Sequence, residues 1–311
     1  MHGARSDNST RPLSRASRFA LALCALALAW LCGACAAAPG PDPARPRAAD
    51  EPPYPVLLSP DAARRERALG AWAALAHDAG SDAARTPAPE LEPTTATLRA
   101  LPAATPAVAL RLPLVEIKDG DKESADEATR ESLRRFIAGA RDLLGVSLDD
   151  LSLVEIGEES GARVARYRQK PFPFPLRGGY GRVEIRFAPD RTVLALSSTA
   201  IPDTERLARE LAAARTRAVS AEDVVKRLAG RSFDVTTPGG AAQTYTVAAG
   251  EAVEARELVV YPVARAGGAG TLELRLAWET AVGRAGEVVA YVDAVTGDVL
   301  AAARSPLTAR G

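Results

Sequence analysis

Beyond residue 35 the chain contains no cysteine, since Cys24, Cys32 and Cys35 are all it has. An internal disulfide or a cysteine-based metal site in the body is thereby excluded. Histidine is as scarce, with His2 near the start and His77 beyond it. A zincin site needs two histidines one helical turn apart with a glutamate base, and a Ser-His-Asp triad needs one beside a nucleophile. His77 stands alone at the end of an alanine-rich stretch, where such a residue reads as a surface or capping group. Gly-x-Ser-x-Gly and Ser-x-x-Lys signatures are missing too. The chain is therefore expected not to be an enzyme and to carry no cofactor or metal. Basic and acidic residues balance at 39 each, which leaves no electrostatic footprint for nucleic acid.

What is present begins with a leader. Arg5, Arg11, Arg15 and Arg18 precede an apolar run from Phe19 to Leu31, shorter than the roughly 20 residues of a membrane span. Gly33 and Ala34 then precede Cys35. This order is that of a secretory signal peptide over residues 1–34. The cysteine after a small pair resembles the lipobox of bacterial lipoproteins, although Cys32 sits where leucine is usual. Cys35 is the expected lipidation site, and the chain is expected to be exported and lipid-anchored in the cell envelope, at the outer membrane or cell surface. The alternative is ordinary cleavage after Ala34 with no lipid.

Residues 35–58 form an alanine- and proline-rich segment with Pro39, Pro41, Pro43, Pro46, Pro52, Pro53 and Pro55, read as a disordered tether. Residues 59–106 read as a short helix and a linker. Ser59-Pro60-Asp61 looks like a helix start, and Leu69, Trp72, Ala73 and Ala76 recur at helical spacing. From Val108 to Ile117 the pattern is strand-like. Ser124 to Glu127 reads as a capping box ahead of an apolar stripe, Leu133, Phe136, Ile137, Ala140 and Leu144. Four strands are predicted over Leu151–Ile156, Ala162–Gln169, Gly181–Phe187 and Thr192–Ser197. Two helices follow, around Leu207 and Leu211 and from Ser220 to Leu228. Six more strands are predicted at Ser232–Thr236, Tyr245–Ala248, Glu257–Val263, Thr271–Ala281, Glu287–Asp293 and Gly297–Ala303. Thr296-Gly297 is the turn of the last hairpin. The fold class is thus α+β, two tandem helix-plus-antiparallel-sheet modules over residues 107–202 and 203–311.

Two stretches resemble a known family. Val164-Ala165-Arg166-Tyr167-Arg168-Gln169, a proline- and aromatic-rich turn ending Gly178-Gly179, and the strand Val183–Phe187 resemble the fungalysin/thermolysin-type propeptide (FTP) module. Leu274-Arg275-Leu276-Ala277-Trp278-Glu279 and the run Val289 to Leu300, with Tyr291-Val292-Asp293-Ala294 and Thr296-Gly297, resemble the PepSY module that follows it in those propeptides. Together the resemblance covers Asp126 to Ala303, about three-fifths of the chain. Lys170–Leu176 and Ala188–Arg191 depart from the family's turns. In metalloprotease precursors this region assists folding of the attached protease and inhibits it. Here the sequence stops at Gly311, with no room for a catalytic domain. The resemblance implies a non-catalytic scaffold that inhibits or chaperones a thermolysin-like metalloprotease or another exported protein. The alternatives are a structural or ligand-binding surface lipoprotein reusing the propeptide fold, and a remnant of a protease precursor.

The candidate partner-binding residues are Phe172, Phe174 and Tyr180, three large rings in one loop, with folding back onto the sheet as the competing reading. Asp119, Asp121, Glu123, Asp126 and Glu127 could suggest a calcium loop. A register from Asp119, however, puts Ser124 at the glycine position and Arg130 at the bidentate glutamate position. A solvated turn and an acidic first helical turn are expected instead. Trp278 is read as core and Asp293 as the cap of its own hairpin.

Overall fold

Apolar Val183, Ile185 and Phe187 alternating with Arg182, Glu184 and Arg186 require a strand with one covered and one open face. The computed structural model describes residues 53–81, 86–102, 110–116, 122–170, 172–265, 270–284 and 286–305, and buries the first three while leaving the charged residues outward. In chain order the elements are β1 (Val56–Leu58), α1 (Ala62–Asp78), β2 (Glu90–Leu91), β3 (Leu98–Ala100), α2 (Lys122–Gly139) and α3 (Arg141–Leu144). Next come β4 (Leu151–Glu159), β5 (Ala162–Gln169), β6 (Arg182–Phe187), β7 (Val193–Ser198), α4 (Thr204–Ala214) and α5 (Ala221–Leu228). The chain closes with β8 (Ser232–Thr236), β9 (Ala242–Thr246), β10 (Val253–Ala264), β11 (Leu272–Val282), β12 (Val288–Asp293) and β13 (Val299–Arg304).

The first module is an antiparallel meander, β4-β5-β6-β7, with helices on one face. The apolar stripe of α2 and α3 (Leu133, Phe136, Ile137, Leu143, Leu144) packs in one core with Ala165, Tyr167, Val183, Ile185 and Leu196 of the sheet. Gly145 ends α3 in the left-handed conformation, φ 71. A side chain there would collide with the Thr97 methyl, so glycine lets the β2–β3 hairpin approach the helix end. The open face of the sheet carries a charge lattice. Arg166 bonds Glu155 at 2.8 Å and Glu184 at 3.3 Å, and also pairs with Glu159. Cross-strand pairs of this kind suit a half-solvated face.

The second module is a seven-stranded sheet of order β1-β11-β12-β13-β8-β9, with β10 on the far side of β11. All its pairings are antiparallel except β13 with β8. α4 covers one face through Leu207, Leu211 and Ala214, which meet Val260, Leu272, Leu274 and Leu276. α5 does the same further along, with Val224 and Leu228 against Val282, Val288, Ala290 and Val292. Trp278 packs against both clusters, and its indole N–H donates to the Val219 carbonyl at 3.0 Å.

The tether boundary and the linker need correction. Tyr54, Val56 and Leu58 are buried, and β1 pairs with Leu272–Leu274 of β11. Their apolar alternation outweighs the neighbouring prolines. In the 79–106 stretch, β2 and β3 pair. Thr97, fully buried, donates to the Ser198 carbonyl at 3.1 Å and exchanges a hydroxyl bond with Thr95 at 2.7 Å. Two threonines in an alanine- and proline-rich context thus satisfy buried polar groups. The predicted strand at 108–117 shrinks to a single bridge, Arg111 to Thr192; its residues 108, 109 and 117 lie outside the described set. α1 is capped by Asp61, the last residue of the expected helix start, which accepts from the Ala63 and Arg64 amides. α2 starts at Lys122, two residues ahead of Ser124. The leader, Cys35 and most of the tether lie outside the described residues.

Candidate functional site: the seam between the modules

The loop joining β5 to β6 belongs to the first module by sequence but docks on the second. Leu176 forms a parallel bridge with Val260 of β10. The Val260 amide donates to the Pro175 carbonyl at 2.9 Å, and the Arg177 amide to the Val260 carbonyl at 3.0 Å. Phe172 and Leu176 enter the core cluster that contains α4 and β11. Arg177 then spans β10 and β11: its Nε donates to Glu279 at 2.7 Å, and Nη2 pairs with Glu257. Gly181 closes the loop at φ 73, and a Cβ there would sit 2.7 Å from Leu176 Cδ1. Only glycine combines that backbone with a neighbour so close.

The three rings predicted to contact a partner therefore divide. Phe172 is 8% exposed and is a core residue, which corrects its expected presentation: the loop turns its first ring inward to fill the space beside α4. Phe174 is half-buried, with the Arg215 guanidinium 5.6 Å from its ring centre. Tyr180 is also half-buried. Burial, with Glu92 and Tyr261 nearby, raises its hydroxyl pKa. Tyr180 borders a cavity of about 270 Å³ lined by Glu92, Thr95, Arg99, Gly178, Gly179, Ser197 and Thr199. This concavity joins the β2–β3 hairpin, the β5–β6 loop and the end of β7. It offers hydroxyls, one carboxylate, one guanidinium and an aromatic wall, a set suited to binding a polar chain.

Sequence reasoning missed a network around Tyr54, which shares a core cluster with Phe172 and Leu176. Asp293 is fully buried. Its Oδ1 accepts from the Val295 amide at 2.8 Å and the Thr296 amide at 2.9 Å, the hairpin-capping role expected of it. It also accepts from the Tyr54 hydroxyl at 2.9 Å, and Oδ2 accepts from Arg275 Nη1 at 2.8 Å. Tyr54 takes a bond from the Leu276 amide at 3.1 Å. The signal was the spacing of Tyr54, Val56 and Leu58, hidden among prolines. A second missed residue is Arg64, 7% exposed, which donates to Asp203 at 2.8 Å and to the Thr94 carbonyl at 3.3 Å. It ties α1 to the start of α4.

No family model and no curated protein matches this chain. Among solved structures, the Bacillus megaterium YpeB C-terminal domain aligns over 61% of this chain and 67% of its own, at 13% identity and a TM-score of 0.24. That likeness decides neither family nor function.

The remaining candidates are placed as follows. His77 is exposed in the last turn of α1. Asp119 and Asp121 lie outside the described residues. Hydrogen bonds from Arg134 and Arg130 lower the pKa of Glu127, and Asp126 pairs with Arg163 at 3.3 Å. Among the described residues, no group of three His, Cys, Asp or Glu side chains gathers as metal ligands would.

Burial, then the charge of Asp293 and the hydrogen bond to it, raises the Tyr54 pKa. A phenol with a raised folded pKa stabilises the fold fully below its unfolded pKa, near 10, and loses that contribution as pH climbs further. Tyr54→Phe is expected to cost about 1–2 kcal/mol at neutral pH, because the Leu276 amide loses its acceptor. The variant should also lose less stability than the native chain between pH 9 and pH 11. Urea unfolding at both pH values measures this; equal alkaline losses in the two chains would remove Tyr54 from the explanation.

Proposed function

We propose that this chain is a non-catalytic binding scaffold of the cell envelope, lipid-anchored through Cys35, that inhibits or chaperones an exported thermolysin-like metalloprotease. The observation that carries the reading is the docking of the β5–β6 loop across the seam. The two segments that resemble consecutive propeptide modules are thereby held as one surface, with Tyr180 and its cavity on the outside. A prearranged surface lowers the ordering cost of binding. The half-buried rings Phe174 and Tyr180 are the anchors of that surface in this reading.

The test is a titration of the purified chain into a thermolysin-like protease, reading binding and peptide hydrolysis together. Saturable binding with slowed hydrolysis or improved refolding of the protease is expected. Phe174→Ala and Tyr180→Ala should each weaken binding by about tenfold, the scale of an interface anchor, with the unfolding midpoint nearly unchanged. A folded chain that neither binds nor alters the protease would sink the proposal.

A further inference from the structure

An open sheet edge shows a row of unpaired amides and carbonyls, and folded chains blunt such edges with charge, proline, bulges, brevity or a cover. Among the described residues, the edges of the two large sheets are blunted in these ways with one exception. β4 carries Glu155, Glu158 and Glu159 and a bulge between Leu153 and Glu155. β7 is covered where the Val193 amide donates to the Leu110 carbonyl at 2.8 Å and the Leu112 amide to the Arg191 carbonyl at 2.9 Å. β10 is bonded at Val260 by the β5–β6 loop, and its next outward position is Pro262. β1 is three residues long.

β9 is the exception. It ends the strand order of the second sheet and pairs with β8 from Ala242 to Thr246 without a bulge. No charged residue occurs between Val235 and Gly250. The Thr237 amide donates to the Ala241 carbonyl and the Val247 amide to the Arg231 carbonyl, both at 2.9 Å. Odd-numbered residues of β9 therefore turn their main chain toward β8, and by alternation Ala242, Thr244 and Thr246 aim theirs outward. The row stops at Ala248, whose amide donates to Glu251 at 2.7 Å.

A second copy of β9, run antiparallel about Thr244, matches this row. Thr244 meets Thr244 of the copy, and Ala242 of each meets Thr246 of the other, every pair exchanging two main-chain bonds. Threonine opposite threonine is a favourable cross-strand pair. The ends are complementary in charge. Gln243 falls opposite Tyr245 of the copy; Arg304 bonds Gln243 at 3.3 Å, while Glu251 holds the Tyr245 hydroxyl. The arginine of one copy is thus brought to the side where the other presents its glutamate. Asp234 lies beside Thr244 on β8, so the two Asp234 carboxylates sit three strand spacings apart, about 14 Å. That exceeds the screening length of about 8–10 Å near physiological salt.

We infer that the β9 edge is a self-association interface, through which two copies of this chain join their second sheets antiparallel about Thr244. The interface uses neither Phe174 nor Tyr180, so it stands apart from the protease reading.

The test is sedimentation of the purified chain from low to high micromolar concentration, with amide exchange followed at both ends of the range. A monomer–dimer equilibrium is expected, and the amides of 242, 244 and 246 should slow as concentration rises while those of 243 and 245 stay unchanged. Thr244→Pro removes an amide that points away from β8, a place where an edge strand tolerates proline. It should weaken dimerisation at least tenfold without changing the circular dichroism of the monomer. Thr244→Lys sets like charges opposite each other across the two-fold axis and should weaken it as much, which keeps the test open if the proline variant does not fold. A monomer at every concentration would overturn the inference. So would a dimer that persists undiminished in a folded Thr244 variant, or association that leaves the 242, 244 and 246 amides unprotected.

Discussion

Asp293→Ala is expected to remove about 3–5 kcal/mol of stability, the range found when one partner of a buried ion pair is deleted. The carboxylate is fully buried and accepts from Tyr54, Arg275, Val295 and Thr296. Truncation leaves the half-buried Arg275 with Glu273 alone and deprives two hairpin amides of their acceptor. Each such unpaired group costs on the order of 1–3 kcal/mol. Asp293→Asn keeps an acceptor for the hairpin while removing the charge facing Arg275, so it should lose less than the alanine variant. Urea unfolding followed by tryptophan fluorescence measures both. A loss under about 1 kcal/mol for Asp293→Ala would show that Tyr54 and Arg275 find other partners at little cost.

The second large effect is expected at Phe172. Replacing a buried phenylalanine by alanine costs roughly 3–5 kcal/mol through lost transfer energy and the cavity left behind. Phe172 lies in the core of the second module while its loop springs from the first. Its removal should therefore do more than lower the midpoint. The single unfolding transition expected for the native chain should broaden or split, because the seam loses its largest buried ring and keeps Leu176, the main-chain bonds to Val260 and the Arg177 and Arg64 ion pairs. Phe174→Ala, at a half-buried position, should leave the transition single. Calorimetry with tryptophan fluorescence distinguishes the cases; coincident, single transitions in Phe172→Ala would mean that the loop is not what couples the modules.

Much of the architecture was legible because its signals are local. Apart from β1, the strands of both sheets fall within a few residues of where alternation puts them, from Leu151–Ile156 to Gly297–Ala303, since burial of one face imposes a period of two. The Thr296-Gly297 turn was legible because positive φ favours glycine, and Gly297 has φ 81. The failures came where a residue's role depends on something distant. Tyr54, Val56 and Leu58 look like part of a proline-rich tether until β11, more than 200 residues away, supplies their partner. Thr94, Thr95 and Thr97 carry no periodic signal, and their worth lies in bonds to Gly270 and Ser198. Phe172 and Tyr180 share one loop, and composition alone could not say that the first turns inward and the second lines a cavity.

The pairing of β1 with β11 also sets an order of events. The Tyr54–Leu276 bond spans 222 residues and the Tyr54–Asp293 bond 239, so both close one of the longest loops in the chain. Contacts of such separation are the slowest to form, because loop-closure entropy must be met before any of them contributes. A ribosome delivers residues 54–58 early and their partner strand β11 late. Until β11 and β12 emerge, Tyr54, Val56 and Leu58 have no native place to go, and the apolar face they carry needs shielding. β11 must be in place before residues 54–58 can pair with it, and a pause between those two moments leaves a solvent-exposed strand edge open to other chains.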